Sequence, residues 1–194
     1  MPISDTTAFM STPAPLPQLS MRFTAFGKLP EQCSMPSGYE IRPMKLDDQA
    51  AYGEIMNANQ QLGGWTAERV RELFCGHEGQ MILNGSYVIM HSASGRAAAV
   101  TSTMAPTAKE PRFSVGWVAV SPDHQGKNLA YQVCLAVMLY MKRSRIAETC
   151  LLTDDFRLPA VKTYIKLGFV PEHTHESHPE RWKTVYEKLG LTMP

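Results

Sequence analysis

Phe113-Ser-Val-Gly-Trp-Val-Ala-Val120 reads as a strand that stops at Ser121-Pro122. A short turn follows, and from Gly126 to Arg143 the apolar residues Leu129, Val133, Val137 and Met141 recur at every fourth position. That recurrence is one face of a long helix, and the basic turn of Lys142, Arg143 and Arg145 suits its C-terminal dipole. The junction has a chemical consequence. Backbone N–H groups at a helix start lack intrahelical acceptors, the dipole reinforces them, and small residues let an anion approach the main chain closely. Gly126 and Ala130 supply the smallness and Lys127 adds positive charge. The G-x-x-x-x-G-K-S/T spacing of a P-loop is not met.

The rest of the chain alternates between the same two kinds of element. Tyr39–Pro43 reads as a short strand, and Asp47-Asp48 opens a helical pattern reaching about Gln60. Gly63-Gly64 breaks the chain, and Thr66 caps a second helix from Ala67 to Phe74. Strands are expected over Tyr87–His91 and Arg96–Met104, joined by the turn Ser94-Gly95, then at Phe113–Val120. After the long helix come a buried strand at Thr149–Thr153, a helix from Pro159 to Leu167 ended by Gly168, a short strand from Phe169 and a last helix from Pro179 to Leu189. Helices interleaved with strands around a mixed sheet give an α/β fold. Residues 1–38, which hold Pro2, Pro13, Pro15, Pro17, Pro30 and Pro36, are expected to be an extended arm, with residues 39–194 forming one domain.

Composition narrows the function. The chain of 194 residues is 44% hydrophobic and 19% charged, as in an ordinary soluble protein, and its formal net charge is +1. That balance gives no broad pull toward nucleic acid or an acidic membrane. No basic and apolar leader pattern opens the sequence, and no apolar run approaches the roughly 20 residues that span a bilayer, so a cytoplasmic protein is expected. Cys33, Cys75, Cys134 and Cys150 form no C-x-x-C pair and read as free thiols.

Val118-Ala119-Val120, Pro122 and Gln125-Gly126-Lys127-Asn128-Leu129-Ala130 resemble motif A of the GNAT acetyltransferases, whose core is Q/R-x-x-G-x-G/A. Ala160-Val-Lys-Thr-Tyr164-Ile-Lys-Leu-Gly-Phe169, about 35 residues downstream, resembles their motif B. The resemblance runs from about Tyr39 to Phe169. It implies a mixed, mostly antiparallel central sheet flanked by helices, and an enzyme that transfers acetyl from acetyl-CoA to a small-molecule or peptide amine by direct attack. It further implies that Gln125 to Ala130 wrap the CoA pyrophosphate, that Val118, Ala119 and Val120 pair with pantetheine, and that Tyr164 protonates the departing thiolate. Two positions depart from the motifs. Asn128 stands for the first motif A glycine, and Asn tolerates left-handed backbone better than most residues. Arg157 replaces a frequent asparagine, and its partner is either a CoA oxygen or one of Asp154 and Asp155.

The strands before motifs A and B lack the glutamate that many such enzymes use as a base. Asp154, two residues beyond Leu152 and so on the same strand face, is the candidate base. The plainer reading makes Asp154-Asp155 a capping pair for the next helix, with water removing the amine proton. His173 and His175 fall on one strand face as candidates for the acceptor pocket, but no carboxylate or cysteine set completes a metal site around them. Trp65, Trp117 and Trp182 read as packing residues. Loss of the usual glutamate and asparagine leaves two alternatives: a non-catalytic CoA-binding regulatory module, or an acyltransferase that uses another acyl-CoA or a protein amine.

Overall fold

A computed structural model describes residues 16–59, 62–76 and 81–194. Seven strands and five helices are formed there: β1 (Leu19–Phe23), β2 (Tyr39–Pro43), α1 (Gln49–Ala58), α2 (Ala67–Cys75), β3 (Tyr87–His91), β4 (Arg96–Met104), β5 (Phe113–Val120), α3 (Leu129–Arg143), β6 (Thr149–Thr153), α4 (Leu158–Leu167), β7 (Val170–Glu172) and α5 (His178–Leu189). One sheet runs β2-β3-β4-β5-β6-β1-β7. Every pairing is antiparallel except that of β5 with β6. The mixed, mostly antiparallel α/β sheet flanked by helices is therefore present.

Two apolar cores form on the sheet. In one, α3, α4 and α5 pack on Leu19, Met21, Phe23, Val115 and Leu151. In the other, Tyr52, Ile55 and Met56 of α1 and Val70 and Phe74 of α2 pack on Val88, Val100 and Ala119. The expected face of α3 is buried at Leu129, Val133, Val137 and Met141, but so are Cys134, Leu135, Ala136 and Met138. The helix lies in contact with α4, with β3, β4 and β5, and with the turn at Phe26–Lys28, which explains burial on more than one face.

The largest departure from the sequence reading is β1. Leu19–Phe23 lie within the segment expected to be an extended arm, yet they form an inner strand paired to β6 on one side and β7 on the other. Leu19, Met21 and Phe23 point into the first core and are all but fully buried. Each such side chain contributes about 1.5–3 kcal/mol of hydrophobic stabilisation. The chain between Phe23 and Tyr39 also packs down, through Phe26 and Leu29. Pro2, Pro13 and Pro15, and the expected helix end at Gln60, fall outside the described residues.

Local boundaries follow local chemistry. The Thr66 side chain accepts a hydrogen bond from the Arg69 N–H and starts α2. Gly168 ends α4 at φ +99°, and a Cβ there would stand 3.2 Å from the Phe23 ring. The two requirements together favour glycine. Among the described residues, no helix is long and apolar enough to cross a membrane.

Candidate active site

The parallel strands β5 and β6 pair only at their starts, Phe113 with Thr149 and Ser114 with Cys150. Beyond Ser114 the two strands part, and the β6-facing edge of β5 is left without a strand partner among the described residues. A strand edge of this kind presents backbone donors and acceptors to any extended ligand. The strand also bulges here. Val100 pairs with Ala119 and Ser102 with Gly116, so that Thr101 faces both Trp117 and Val118. Trp117 takes φ +53°, an uncommon conformation for so large a side chain.

A cleft of about 820 Å³ opens at this point. It is lined by Val118, Ala119 and Val120 of β5, by most of the loop and helix start from Pro122 to Tyr131 though not Lys127, and by Phe156, Arg157 and the α4 residues Pro159, Ala160, Thr163 and Tyr164. The α1 end closes it with Ala58, Asn59 and Leu62. Asn59 is fixed there, its Nδ2 donating to the Val120 carbonyl at 3.1 Å and to the Ile55 carbonyl at 2.8 Å.

The loop before α3 holds two left-handed residues, Gly126 at φ +75° and Asn128 at φ +61°. Asn128 thus adopts the geometry anticipated for it and serves as the helix N-cap, without a side-chain cap bond. The Gln125 N–H bonds to the Pro122 carbonyl, and the next N–H with a backbone acceptor is that of Gln132, which bonds to the Asn128 carbonyl. Among the described residues, the N–H groups of Gly126, Lys127, Asn128, Leu129, Ala130 and Tyr131 have no acceptor. Six consecutive unsatisfied donors at the positive end of a 15-residue helix could hold an anion. This cradle fits a pyrophosphate by backbone chemistry alone. Lys127 is exposed and its ammonium reaches only the Asp123 carbonyl, at 3.4 Å.

Tyr164 lies on the wall opposite the cradle, on α4, with 6% of its surface exposed. Burial pushes its phenol well above the ordinary value, neighbouring Cys134 adds to the rise, and Arg157 opposes it. The hydroxyl therefore stays protonated at neutral pH, the state a proton donor needs. Cys134 itself is pushed up to about 12 by burial, which makes it inert as a nucleophile.

The remaining expected residues are placed as follows. Arg157 lines the cleft and forms an ion pair with Asp154 at 3.0 Å. Asp154 lies just past the end of β6, also accepts a hydrogen bond from Gln18, and is not among the cleft-lining residues. The pair Asp154-Asp155 does not cap α4 with its side chains; Arg157 is the N-cap, and Asp155 binds Arg181 on α5. The Arg181 guanidinium holds the Asp155 carboxyl below its ordinary value. β7 ends at Glu172, so His173 and His175 occupy the turn before α5 rather than one strand face, and neither lines the cleft. His175 is engaged with Ser177, its Nδ1 accepting from the Ser177 N–H at 3.1 Å. No cluster of metal-ligating side chains occurs among the described residues.

Phe156, Thr163, Asn59 and His124 also line the cleft and carry no motif in the sequence. His124 is the best defined of them. Its Nδ1 lies 2.8 Å from the Tyr39 hydroxyl, and its ring packs beside His91 with centroids 4.9 Å apart. Burial, then the neighbouring His91 and Lys127, hold it below the ordinary imidazole value.

Comparison with known proteins gives one family. The model of the acetyltransferase (GNAT) family matches residues 52–169. Curated proteins yield no match. Among solved structures, the chain is similar to a GCN5-related N-acetyltransferase from Sphaerobacter thermophilus at 20% identity and TM-score 0.62, covering 81% of this chain and 50% of that one. It is similar to a GCN5-related N-acetyltransferase from Kribbella flavida at 15% identity and TM-score 0.55, with coverage of 80% and 55%. A tandem GNAT protein from the clavulanic acid biosynthesis pathway is 17% identical at TM-score 0.57, with coverage of 80% and 50%. The chain spans about half the length of these structures, and at such identities the likeness is one of fold.

Proposed function

The chain belongs to the GNAT acetyltransferase family, and from that premise we propose that it transfers an acetyl group from acetyl-CoA to a primary amine by direct attack, with Tyr164 as the general acid. The observation that carries this reading is the run of six unsatisfied N–H groups from Gly126 to Tyr131, facing a buried, protonated Tyr164 across one cleft. The cradle supports binding of the pyrophosphate, and the unpaired edge of Val118–Val120 supports backbone pairing with the pantetheine amides.

In the proposed step the amine nitrogen attacks the thioester carbonyl carbon. The tetrahedral oxyanion then collapses, the carbon–sulfur bond breaks, and Tyr164 gives its proton to the departing sulfur. No carboxylate lines the cleft among the described residues, so the amine loses its proton to water, and solvent reprotonates Tyr164. The Arg157–Asp154 pair beside the cleft supports a positioning role for Arg157 toward the cofactor. Localisation in the cytoplasm is part of the same reading.

The test is thiol release from acetyl-CoA by purified protein offered a panel of amines, with mass detection of the acetylated products. Binding of acetyl-CoA without release of thiol across the panel overturns the enzymatic reading in favour of a CoA-binding module. A panel of acyl-CoA esters separates acetyl transfer from transfer of a longer acyl group.

A further inference from the structure

On the side of β5 away from α3, two indoles and a guanidinium form a built platform. The Trp65 and Trp117 rings meet edge to face with centroids 4.6 Å apart. The Arg69 guanidinium carbon lies 4.0 Å from the Trp65 centroid and 5.4 Å from that of Trp117. A cation stacked on a surface aromatic is common, and alone it contributes about 0.5–1 kcal/mol to stability. Three features go beyond such decoration.

First, Trp65 is held in place from several sides. Its N–H donates to the Asn57 Oδ1 at 2.8 Å, its carbonyl accepts from the Asn57 Nδ2 at 2.9 Å, and its indole N–H donates to the Leu62 carbonyl at 3.1 Å. Second, Trp117 sits in the β5 bulge at a positive φ, a strained conformation that local backbone preference does not supply. Third, the Arg69 charge is uncompensated. Its Nη1 donates to the Gly64 carbonyl at 2.7 Å, the side chain is exposed, and no carboxylate pairs with it among the described residues. The guanidinium is thus fixed in position with donors to spare.

The platform borders the cleft without lining it. Trp117 directly precedes Val118, which lines the cleft, and Leu62 both lines the cleft and receives the Trp65 indole N–H. Val118 and Val120 pack with the α3 core, whereas Trp117 and Ala119 pack with the α1–α2 core. The phosphate cradle and the platform therefore lie on opposite faces of one strand, joined by the gap where β5 leaves β6.

We propose that Arg69, held over Trp65 and beside Trp117, recognises the acceptor, and that the acceptor is an amine that also carries a carboxylate. A guanidinium binds a carboxylate through two parallel N–H bonds, and the Trp65 ring and the Gly64 carbonyl fix where this one can do so. The proposal rests on the acetyl-transfer reading, which puts the cofactor at the cradle on one face of β5 and leaves the other face to the acceptor.

L-Alanine, β-alanine and L-lysine, each paired with its amide, form the test panel, with a dipeptide arm to separate a free amino acid from a peptide terminus. Wild-type protein is expected to prefer carboxylates over their amides by roughly tenfold or more in kcat/KM. R69Q is expected to lose that preference through KM while keeping acetyl-CoA affinity and melting temperature, and R69K to fall between. Equal use of acids and amides by wild type overturns the proposal, as does a preference that survives in R69Q. Loss of acetyl-CoA binding in R69Q also overturns it, since Arg69 would then hold a cofactor phosphate. A readout without turnover keeps this inference separate from the enzymatic one. In the presence of CoA, each acid should change tryptophan emission saturably in wild type and not in R69Q. No saturable change with any acid defeats the proposal even if amines are acetylated.

Discussion

Tyr164 and Gly126 act through different physics, and single substitutions separate them. For Tyr164 the phenol has to be neutral and to face the cleft, and burial secures the first condition. Tyr164→Phe keeps the ring beside Phe169 while removing the proton donor. Its kcat should fall by about 100-fold or more, with acetyl-CoA affinity and melting temperature almost unchanged. A variant retaining half of wild-type kcat, with chemistry rate-limiting, makes Tyr164 a packing residue. For Gly126 the protein itself leaves room, since a Cβ there meets nothing within 4 Å. What resists a side chain is the backbone at φ +75° and the space a pyrophosphate would fill. Gly126→Val should weaken acetyl-CoA binding by roughly tenfold or more while leaving the fold intact, as calorimetric titration can check. Wild-type affinity in that variant places the phosphates elsewhere.

At the scale of elements, Arg112 ties together three segments that the hydrogen-bonded ladder joins only loosely. Its guanidinium bonds to both oxygens of Glu110, at 2.7 and 3.0 Å, and to both of Glu172, at 3.0 and 3.1 Å. It also reaches Glu148 at 3.0 Å. These residues precede β5, end β7 and precede β6, so the cluster anchors the closed end of the β5–β6 pair while the other end splays. Arg112 holds Glu110 and Glu172 below the ordinary glutamate value of 4.5. Carboxyls lowered in this way contribute stability that is fully present above their unfolded value and lost as pH falls through the folded one. R112M should therefore melt about 3 °C below wild type at pH 7, equivalent to roughly 1 kcal/mol for a domain of this size. The gap should narrow as pH drops below about 4.5, and a gap independent of pH assigns the loss to packing instead. The helices and strands around this cluster were readable because their signals are local. β3, β4 and β5 coincide with the strands expected for them, and α3 starts at Leu129 rather than Gly126 because Asn128 turns left-handed. The cradle was readable for the same reason, being one strand end and one helix start. The Trp65–Trp117 platform was not, since it depends on a bulge whose register is set by pairing with β4.

The whole molecule depends on a pairing that local pattern alone does not place. β1 pairs Leu19 with Thr153 and Arg22 with Cys150, partners more than a hundred residues away in sequence, and it fills the gap between β6 and β7. Leu19-Ser-Met-Arg-Phe23 does alternate apolar and polar residues, but five residues in a proline-rich stretch are a weak signal, and tertiary burial is what makes them an inner strand. The consequence concerns cooperativity. If β1 were a detachable arm, its loss would free β7 without disturbing the two cores, and weakening it would produce a separate early transition or none. Met21 argues otherwise, because it is fully buried in the same core as Val133, Val137 and Trp182. Met21→Ala should cost about 2–5 kcal/mol, a large part of the 5–15 kcal/mol typical of a native domain. Urea unfolding followed by tryptophan fluorescence and by far-ultraviolet circular dichroism should show one coincident transition at a lower midpoint. Trp182 on α5 and the indoles beside α2 report on opposite faces of the sheet, so a loss confined to β1 would split the two probes. Separate transitions, or a midpoint unchanged from wild type, would mean that the sheet is complete without its first strand.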